Sequence, residues 1–334
     1  MTQQRVVAIG ASAGGVEALS VLVSSLPADF SQAVLVVLHM PVGVSSALPR
    51  ILDRAGPLPA VAAENDMELR PGTIYVGVPD RHLLLNDDRL AVTDGPTENR
   101  HRPSINALFR SLALHAGPYG TGVLLSGALD DGVNGLVAIR ERGGVTVVQD
   151  PADAAFPAMP TNAISRAEPD HIVTAADAAK VLTELSGRQL TEITMEPDRM
   201  LETENRIAMG HAFAKPSDSE DLGPPTNFVC PDCHGGLMQI DEHSFRCRIG
   251  HAWSADALLQ AQSAEIDSAL GMAIRSLQEK AELAESLAAK VSPGVLQKRY
   301  QRTSAEARHA ADVLRTRLWS PPFTEGDAAE AVQP

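Results

Sequence analysis

Aromatic residues, cysteine and positive charge are all scarce in this chain. Aromatics make up 4% of the 334 residues, so any core must be built from Val, Leu, Ile and Ala. The three cysteines, an odd number, speak against a disulfide framework, and all lie between residues 230 and 247, which points to one local site. Lys plus Arg number 28 against 42 Asp plus Glu, a formal charge of -14. Such a surface repels phosphate backbones and anionic lipid, so nucleic acid is not an expected partner. No stretch approaches about 18 uninterrupted apolar residues, and the first five residues run straight into the strand-like Val6–Ile9 without signal-peptide architecture. A cytoplasmic protein with no membrane insertion is expected. What is present is globular in balance, 44% apolar and 21% charged, with length enough for a large domain and a smaller one.

Residues 5 to 186 alternate short apolar runs with helical-period segments, the pattern of a doubly wound, mostly parallel α/β sheet. Strands are predicted at Val6–Ile9, Ala33–Leu38, Thr73–Val78, Gly122–Leu125 and Val145–Val148, and helices at Val16–Leu26, Ile105–His115, Leu136–Arg142 and Ala176–Leu185. Leu83–Leu85 and Leu90–Val92 flank Asn86-Asp87-Asp88 and read as an inserted hairpin. From 187 to 226 the pattern weakens into acidic, Pro- and Gly-containing sequence, a linker with a weakly signalled helix near Asp198–Ile207. A cysteine-bearing module is expected over 227–253 and a helical hairpin over 254–319, with Ser254 as the first cap and Ser292-Pro293-Gly294 as the break. Ile266, Leu270, Ile274 and Leu277 form one apolar stripe, and Ala307, Ala311, Leu314 and Leu318 the other. Residues 320–334 read as a disordered tail.

The segment with most chemical content is Ile9-Gly10-Ala11-Ser12-Ala13-Gly14-Gly15-Val16, which sets G-x-S-x-G between a strand and a helix. A nucleophile elbow needs this context, because glycines allow the sharp turn that lifts a serine hydroxyl above the sheet, while the helix N-terminus offers N–H groups to an oxyanion. The competing reading is a dinucleotide-binding phosphate turn, whose second strand should end in an acidic ribose ligand. Here that strand ends in Leu38-His39-Met40-Pro41. A further strand ends in Ser126-Gly127-Ala128-Leu129-Asp130-Asp131-Gly132, so serine, histidine and carboxylate all fall at strand carboxyl ends, where open α/β sheets assemble their sites. His171 in place of His39 would give the Ser, Asp, His order of α/β-hydrolases.

Taken in order, Gly10-Ala11-Ser12-Ala13-Gly14-Gly15, His39-Met40-Pro41, Tyr75-Val76-Gly77-Val78-Pro79-Asp80-Arg81-His82, Arg100 to Phe109 and Asp131-Gly132 resemble the catalytic domain of the CheB-type chemotaxis protein-glutamate methylesterases, over residues 1–186. The resemblance implies Ser12 as nucleophile, His39 as base and Asp131 as the third member, chosen over Asp130 because the family's Asp-Gly pair falls there. It implies hydrolysis of glutamate 5-methyl esters on methyl-accepting chemotaxis receptors, with deamidation of receptor glutamines as a second reaction and no cofactor for catalysis. Phosphorylation-controlled relatives carry a receiver domain ahead of the catalytic one; this sequence starts on the catalytic strand, so receiver control is not expected here. Many relatives have threonine where Ala13 stands. Arg100 and Arg102 are candidates to meet an acidic receptor helix, with an exposed basic turn as the plain alternative.

The cysteines read Cys230-Pro-Asp-Cys233, then Cys247-Arg-Ile-Gly-His251, a C-x2-C-x13-C-x3-H spacing that fits a tetrahedral Cys3His zinc site in a zinc-ribbon-like module. His234 and His243 are alternative fourth ligands. A small ribbon with little core would use the zinc for stability, so a structural zinc is expected. The helical hairpin is a candidate for self-association or partner binding. The alternative to an enzyme is a signalling adaptor that keeps a catalytically weak domain and binds partners through the zinc-helical tail.

Overall fold

Strand sequences that are apolar at every position, rather than at alternate ones, need cover on both faces of their sheet. The computed structural model, which describes residues 5–41, 43–187, 196–210 and 222–318, supplies that cover. In chain order the α/β part contains β1 (Val6–Ala11), α1 (Gly15–Ser24), β2 (Ala33–Leu38), α2 (Leu48–Ala55), β3 (Ala60–Ala62), β4 (Ile74–Val76), β5 (His82–Asn86), β6 (Arg89–Thr93), α3 (Ile105–His115), β7 (Gly120–Leu124), α4 (Val133–Glu141), β8 (Val145–Gln149), α5 (Ala158–Ala167), β9 (His171–Val173) and α6 (Ala175–Ser186). Seven strands form one sheet in the order β3-β4-β2-β1-β7-β8-β9, and every pairing in it is parallel.

Alternation along the central strands divides the core. Val7, Ile9, Val34 and Val36 join Leu19, Leu22, Leu52, Ala178 and Leu182 beneath α1, α2 and α6. Ala8, Leu35 and Val37 join Leu108, Phe109, Leu136 and Met159 beneath α3, α4 and α5. The antiparallel hairpin β5–β6 lies on this second side, packing Leu83, Leu85 and Leu90 into the same cluster. Strand order reverses between β1 and β7, so the crevice at the carboxyl ends of β1, β2 and β7 is the topological switch point.

The doubly wound architecture with its inserted hairpin is as expected. Four short elements carried no clear signal in the sequence. The edge strands β3 and β9 are three residues each, too short for a period. Helices α2 and α5 have Pro49 and Pro160 in their first turns, positions where proline is tolerated although it reads as a breaker.

The next segment is α7 (Arg199–Ala208), inside the stretch expected as linker. It is seated rather than free: Leu201 joins the core under α3, Ala208 packs with Leu84, Ala91 and Ala107, and Ile207 packs with Leu222 and Met238. Strands β10 (Pro225–Val229), β11 (Gly236–Asp241), β12 (Ser244–Cys247) and β13 (Ala252–Ser254) form an antiparallel ribbon in that order. The ribbon and the α/β part fall in one compact unit that extends to Leu258.

The second unit, from Leu259 onward, contains most of α8 (Ala255–Lys290) and all of α9 (Val295–Leu318). Ser254 accepts from the Ala257 N–H at 3.2 Å and caps α8 as expected. Within this unit Ile274, Ala281, Ala284, Ala288, Ala307 and Ala311 are buried, and Arg308 pairs with Glu285. Ile266 lies outside the buried stripe and is exposed. The expected tail at 320–334 lies outside the described residues. No helix among the described residues is long and apolar enough to cross a membrane.

Candidate active site and metal centre

β1 ends at Ala11 and the chain turns at once into α1, with Gly14 at φ 70. A Cβ on Gly14 would stand 2.8 Å from both Ser126 Oγ and Ala155 Cβ, so the turn needs glycine for space as well as for backbone conformation. Ser12, between them, is anchored by its own N–H, which donates to the Ser126 carbonyl at 2.9 Å. The N–H groups of Ala13 and Gly14, next along the turn, make no hydrogen bond among the described residues. They lie at the N-terminal end of α1, where donors favour negative charge.

His39 follows β2 on the neighbouring strand. Its Nδ1 stands 3.0 Å from Ser12 Oγ and its Nε2 stands 2.7 Å from Asp131 Oδ2. Asp131 follows β7, so the strands on either side of β1 deliver the histidine and the carboxylate. Asp131 is 2% exposed, and burial alone would raise its pKa; the hydrogen bond and charge of His39, the nearby His101 and the Ile105 N–H outweigh that and hold it well below the usual carboxylate range. Its Oδ2 also accepts from the Ile105 N–H at 2.8 Å, and its Oδ1 accepts from the Asn106 N–H and Ser104 Oγ, each at 3.1 Å. The free N–H groups of the first turn of α3 thus solvate the buried anion. An ionised carboxylate can only accept, so Nε2 carries the imidazole proton and Nδ1 presents its lone pair to the serine hydroxyl.

Asp130 points elsewhere. Its Oδ2 binds Arg166 Nη1 at 2.8 Å and its Oδ1 accepts from Ser254 Oγ at 2.6 Å. His171 opens β9, level in the sheet with Val147, Val123 and Ile9 on successive strands. Three strand spacings put it roughly 14 Å to the side of β1, which removes it from reach of Ser12. His101 is the residue that the motifs did not single out: its ring stacks on His39 with centroids 3.7 Å apart and planes 6° from parallel. Burial, then the neighbouring His39, push its pKa down to about 4. Arg102 is spent internally on Asp80 and on the carbonyls of Asp94 and Gly95, and Arg100 pairs with Asp232, so both arginines hold the loop they sit in.

In the ribbon, Cys230, Cys233, Cys247 and His251 bring one ligand atom each to within 4.8 Å of the others. Cys233 Sγ and Cys247 Sγ are 3.6 Å apart, and His251 Nδ1 stands 3.7 Å from Cys230 Sγ and 3.5 Å from Cys247 Sγ. A tetrahedron with metal–sulfur bonds of about 2.3 Å has edges of roughly 3.5 to 3.8 Å, so the donor set fits a structural metal. Burial and the adjacent thiols push Cys247 up to about 12, an arrangement that a cation in their midst would relieve. Trp253 Nε1 donates toward Cys230 Sγ at 3.4 Å, which orients a ligand from outside the set. His234 and His243 are not in the cluster.

Comparison with known proteins bears on the α/β part. The CheB methylesterase family model matches residues 7–182. The protein-glutamate methylesterase/protein-glutamine glutaminase 3 of Geobacter metallireducens is 38% identical over 191 residues, 56% of this chain and 53% of the relative. The protein-glutamate methylesterase/protein-glutamine glutaminase of Photorhabdus laumondii is 35% identical over 198 residues, 58% of this chain and 56% of the relative. The chain therefore spans about half the length of the curated relatives it matches. Among solved structures, the Thermotoga maritima CheB methylesterase catalytic domain aligns with a TM-score of 0.52 at 27% identity, covering 55% of this chain and 98% of that one.

His101 yields a pH prediction. Its pKa in the folded protein lies below the ordinary value of 6.5, so the folded state binds fewer protons between 6.5 and about 4. Its contribution is complete above 6.5 and is lost as pH falls towards 4. Denaturant unfolding across this range should show stability falling with acid, and less steeply in His101→Gln; identical slopes would contradict the assignment.

Proposed function

The chain belongs to the CheB methylesterase family, and on that premise we propose that it hydrolyses glutamate 5-methyl esters on methyl-accepting chemotaxis receptors, with Ser12 as nucleophile, His39 as general base and Asp131 as the residue that orients the imidazole. The observation that carries this reading is the continuous run from Ser12 Oγ through both His39 nitrogens to Asp131 Oδ2, at 3.0 and 2.7 Å.

The chemistry follows from that order of atoms. His39 Nδ1 takes the hydroxyl proton as Ser12 Oγ bonds to the ester carbon, and the carbonyl oxygen becomes an oxyanion facing the Ala13 and Gly14 N–H groups. Asp131 stabilises the imidazolium and stays ionised itself. The tetrahedral intermediate collapses, His39 returns its proton to the methoxide and methanol leaves. Water, deprotonated by His39, then opens the acyl-enzyme to glutamate and free Ser12. With glutamine the leaving group is ammonia, and the same residues account for the glutaminase named in the relatives.

The Cys3His cluster is proposed as a structural zinc site. Zinc there would hold β12 and β13 together, since Cys247 ends one and His251 directly precedes the other.

Purified protein incubated with methylated receptor should release methanol, and Ser12→Ala should lower the rate by about 10⁴- to 10⁶-fold. His39→Ala should be similarly damaged and His171→Ala nearly unaffected; the reverse would replace the base. Wild-type rates in Ser12→Ala would remove Ser12 as the nucleophile, and no release from the unmodified protein would leave the adaptor reading in its place. Protein purified without chelator should carry one zinc per chain by elemental analysis, and Cys233→Ser should lose it; metal-free protein with an intact ribbon would contradict the site.

A further inference from the structure

The ribbon reaches the catalytic centre through one short turn. The Glu98 N–H donates to the His101 carbonyl at 3.2 Å and the His101 N–H returns a bond at 2.7 Å, so residues 98 to 101 close a tight hairpin. Its two central residues, Asn99 and Arg100, have φ 50 and 66. Asparagine accepts that left-handed backbone readily, arginine at a cost. The ribbon holds the strained turn from outside. The Asn99 N–H donates to the Ala252 carbonyl at 2.8 Å, and the Ser254 N–H donates to Asn99 Oδ1 at 2.8 Å. Arg100 lies over the Trp253 ring at 5.5 Å and pairs with Asp232, between two of the cysteines. On the inner side the same turn ends in His101, stacked on His39.

A buried charge cluster makes the second link. Glu98 is 2% exposed and Arg246, directly before the ligand Cys247, is 1% exposed. Glu98 Oε1 accepts from Arg246 Nη2 at 3.2 Å and from Arg110, and Arg246 also binds Glu204 at 2.9 Å and the Gly250 carbonyl at 2.7 Å. Glu98 Oε2 stands 3.4 Å from Ser104 Oγ, the hydroxyl that also reaches Asp131 at 3.1 Å. One hydroxyl proton serves two carboxylates, so the placement of Glu98 decides what Asp131 receives. Gly250, in the turn between Cys247 and His251, is so close to the body that a Cβ there would lie 2.8 Å from Pro96 and 2.7 Å from Ile207. Beside these contacts lies an open cleft of about 680 Å³ lined by Glu98, Arg110, Glu204 and Trp253 among others, so these polar contacts add to the apolar packing of Ile207 with Leu222 and Met238 in seating the ribbon.

We propose that Arg246 and the metal-binding ribbon around it are positioning elements of the catalytic centre: they fix the Glu98–His101 turn, and through it His39 and Asp131, so that loss of the metal lowers the reactivity of Ser12. The inference rests on the serine-esterase reading and adds to it a dependence of that site on the metal.

The test uses the full-length, zinc-loaded chain and two readouts: the rate at which a fluorophosphonate probe labels Ser12, and the downfield proton resonance of the His39 Nε2–H bonded to Asp131. Arg246→Met that retains zinc should label about tenfold more slowly, with that resonance broadened or shifted, and Arg246→Lys should recover part of the loss. Chelation should cost at least as much. If Arg246→Met loses its zinc, Arg100→Ala, which removes the contacts to Asp232 and Trp253, is expected to slow labelling about threefold. Labelling at the wild-type rate with an unshifted resonance, in zinc-retaining Arg246→Met and in chelated protein, or in Arg100→Ala where Arg246→Met has lost zinc, overturns the inference and leaves the esterase reading standing. Wild-type protein that is not labelled, or is labelled equally as Ser12→Ala, overturns both.

Discussion

A carboxylate stays ionised inside a protein only if donors surround it, and that condition on Asp131 organises the centre of this molecule. The first turn of α3 supplies two backbone N–H groups and the Ser104 hydroxyl, and His39 supplies the fourth donor. The same anion then dictates the tautomer of His39, and the tautomer leaves a lone pair for Ser12. The relay from Asp131 through His39 to Ser12, on which the proposed acyl transfer rests, follows from keeping one buried charge satisfied at the carboxyl ends of the central strands. The parallel sheet contributes position: with β1 between β2 and β7, three successive strand ends deliver serine, histidine and aspartate to one crevice.

The condition spreads outward from there. Ser104 is shared with Glu98, a second buried carboxylate, whose ionisation burial opposes and Arg110 and Arg246 restore. Arg246 belongs to the ribbon, so part of the positive charge that balances Glu98 comes from the ribbon and the rest from Arg110 on α3. Removing one member of such a cluster leaves an uncompensated charge, which typically costs about 3–5 kcal/mol, whereas the intact cluster contributes little net stability. Its value is geometric, in joining the element that carries the Cys3His cluster to the helix that holds Asp131.

Much of this was legible in the sequence, for identifiable reasons. The central strands could be read because burial on both faces makes them continuously apolar, and Ser12, His39 and Asp131 could be read because each lies in a short motif at a strand end. The clustering of the three cysteines with His251 was legible by spacing alone. Ser104 carried the ordinary signal of a helix cap before an apolar-periodic run, although its second partner, Asp131, is 27 residues away and leaves no local trace. Glu98, Arg110 and Arg246 could not be found that way, since charged residues read as surface until tertiary structure buries them together. The stacking of His101 on His39 depends on a turn with two positive φ values at Asn99 and Arg100, where neither residue is glycine. The helix weakly signalled near Asp198–Ile207 is present as α7, but nothing in the sequence showed that its few apolar contacts, Leu201, Ile207 and Ala208, seat it on its neighbours.

The most direct test of the account is to catch the covalent intermediate. A receptor peptide carrying a glutamate methyl ester is mixed with enzyme, quenched in acid during turnover, and the digested protein is mapped by mass spectrometry. An adduct equal to the peptide minus methanol is expected on the fragment containing Ser12, and none in Ser12→Ala. Turnover with no adduct on that fragment, undiminished in Ser12→Ala, would contradict it.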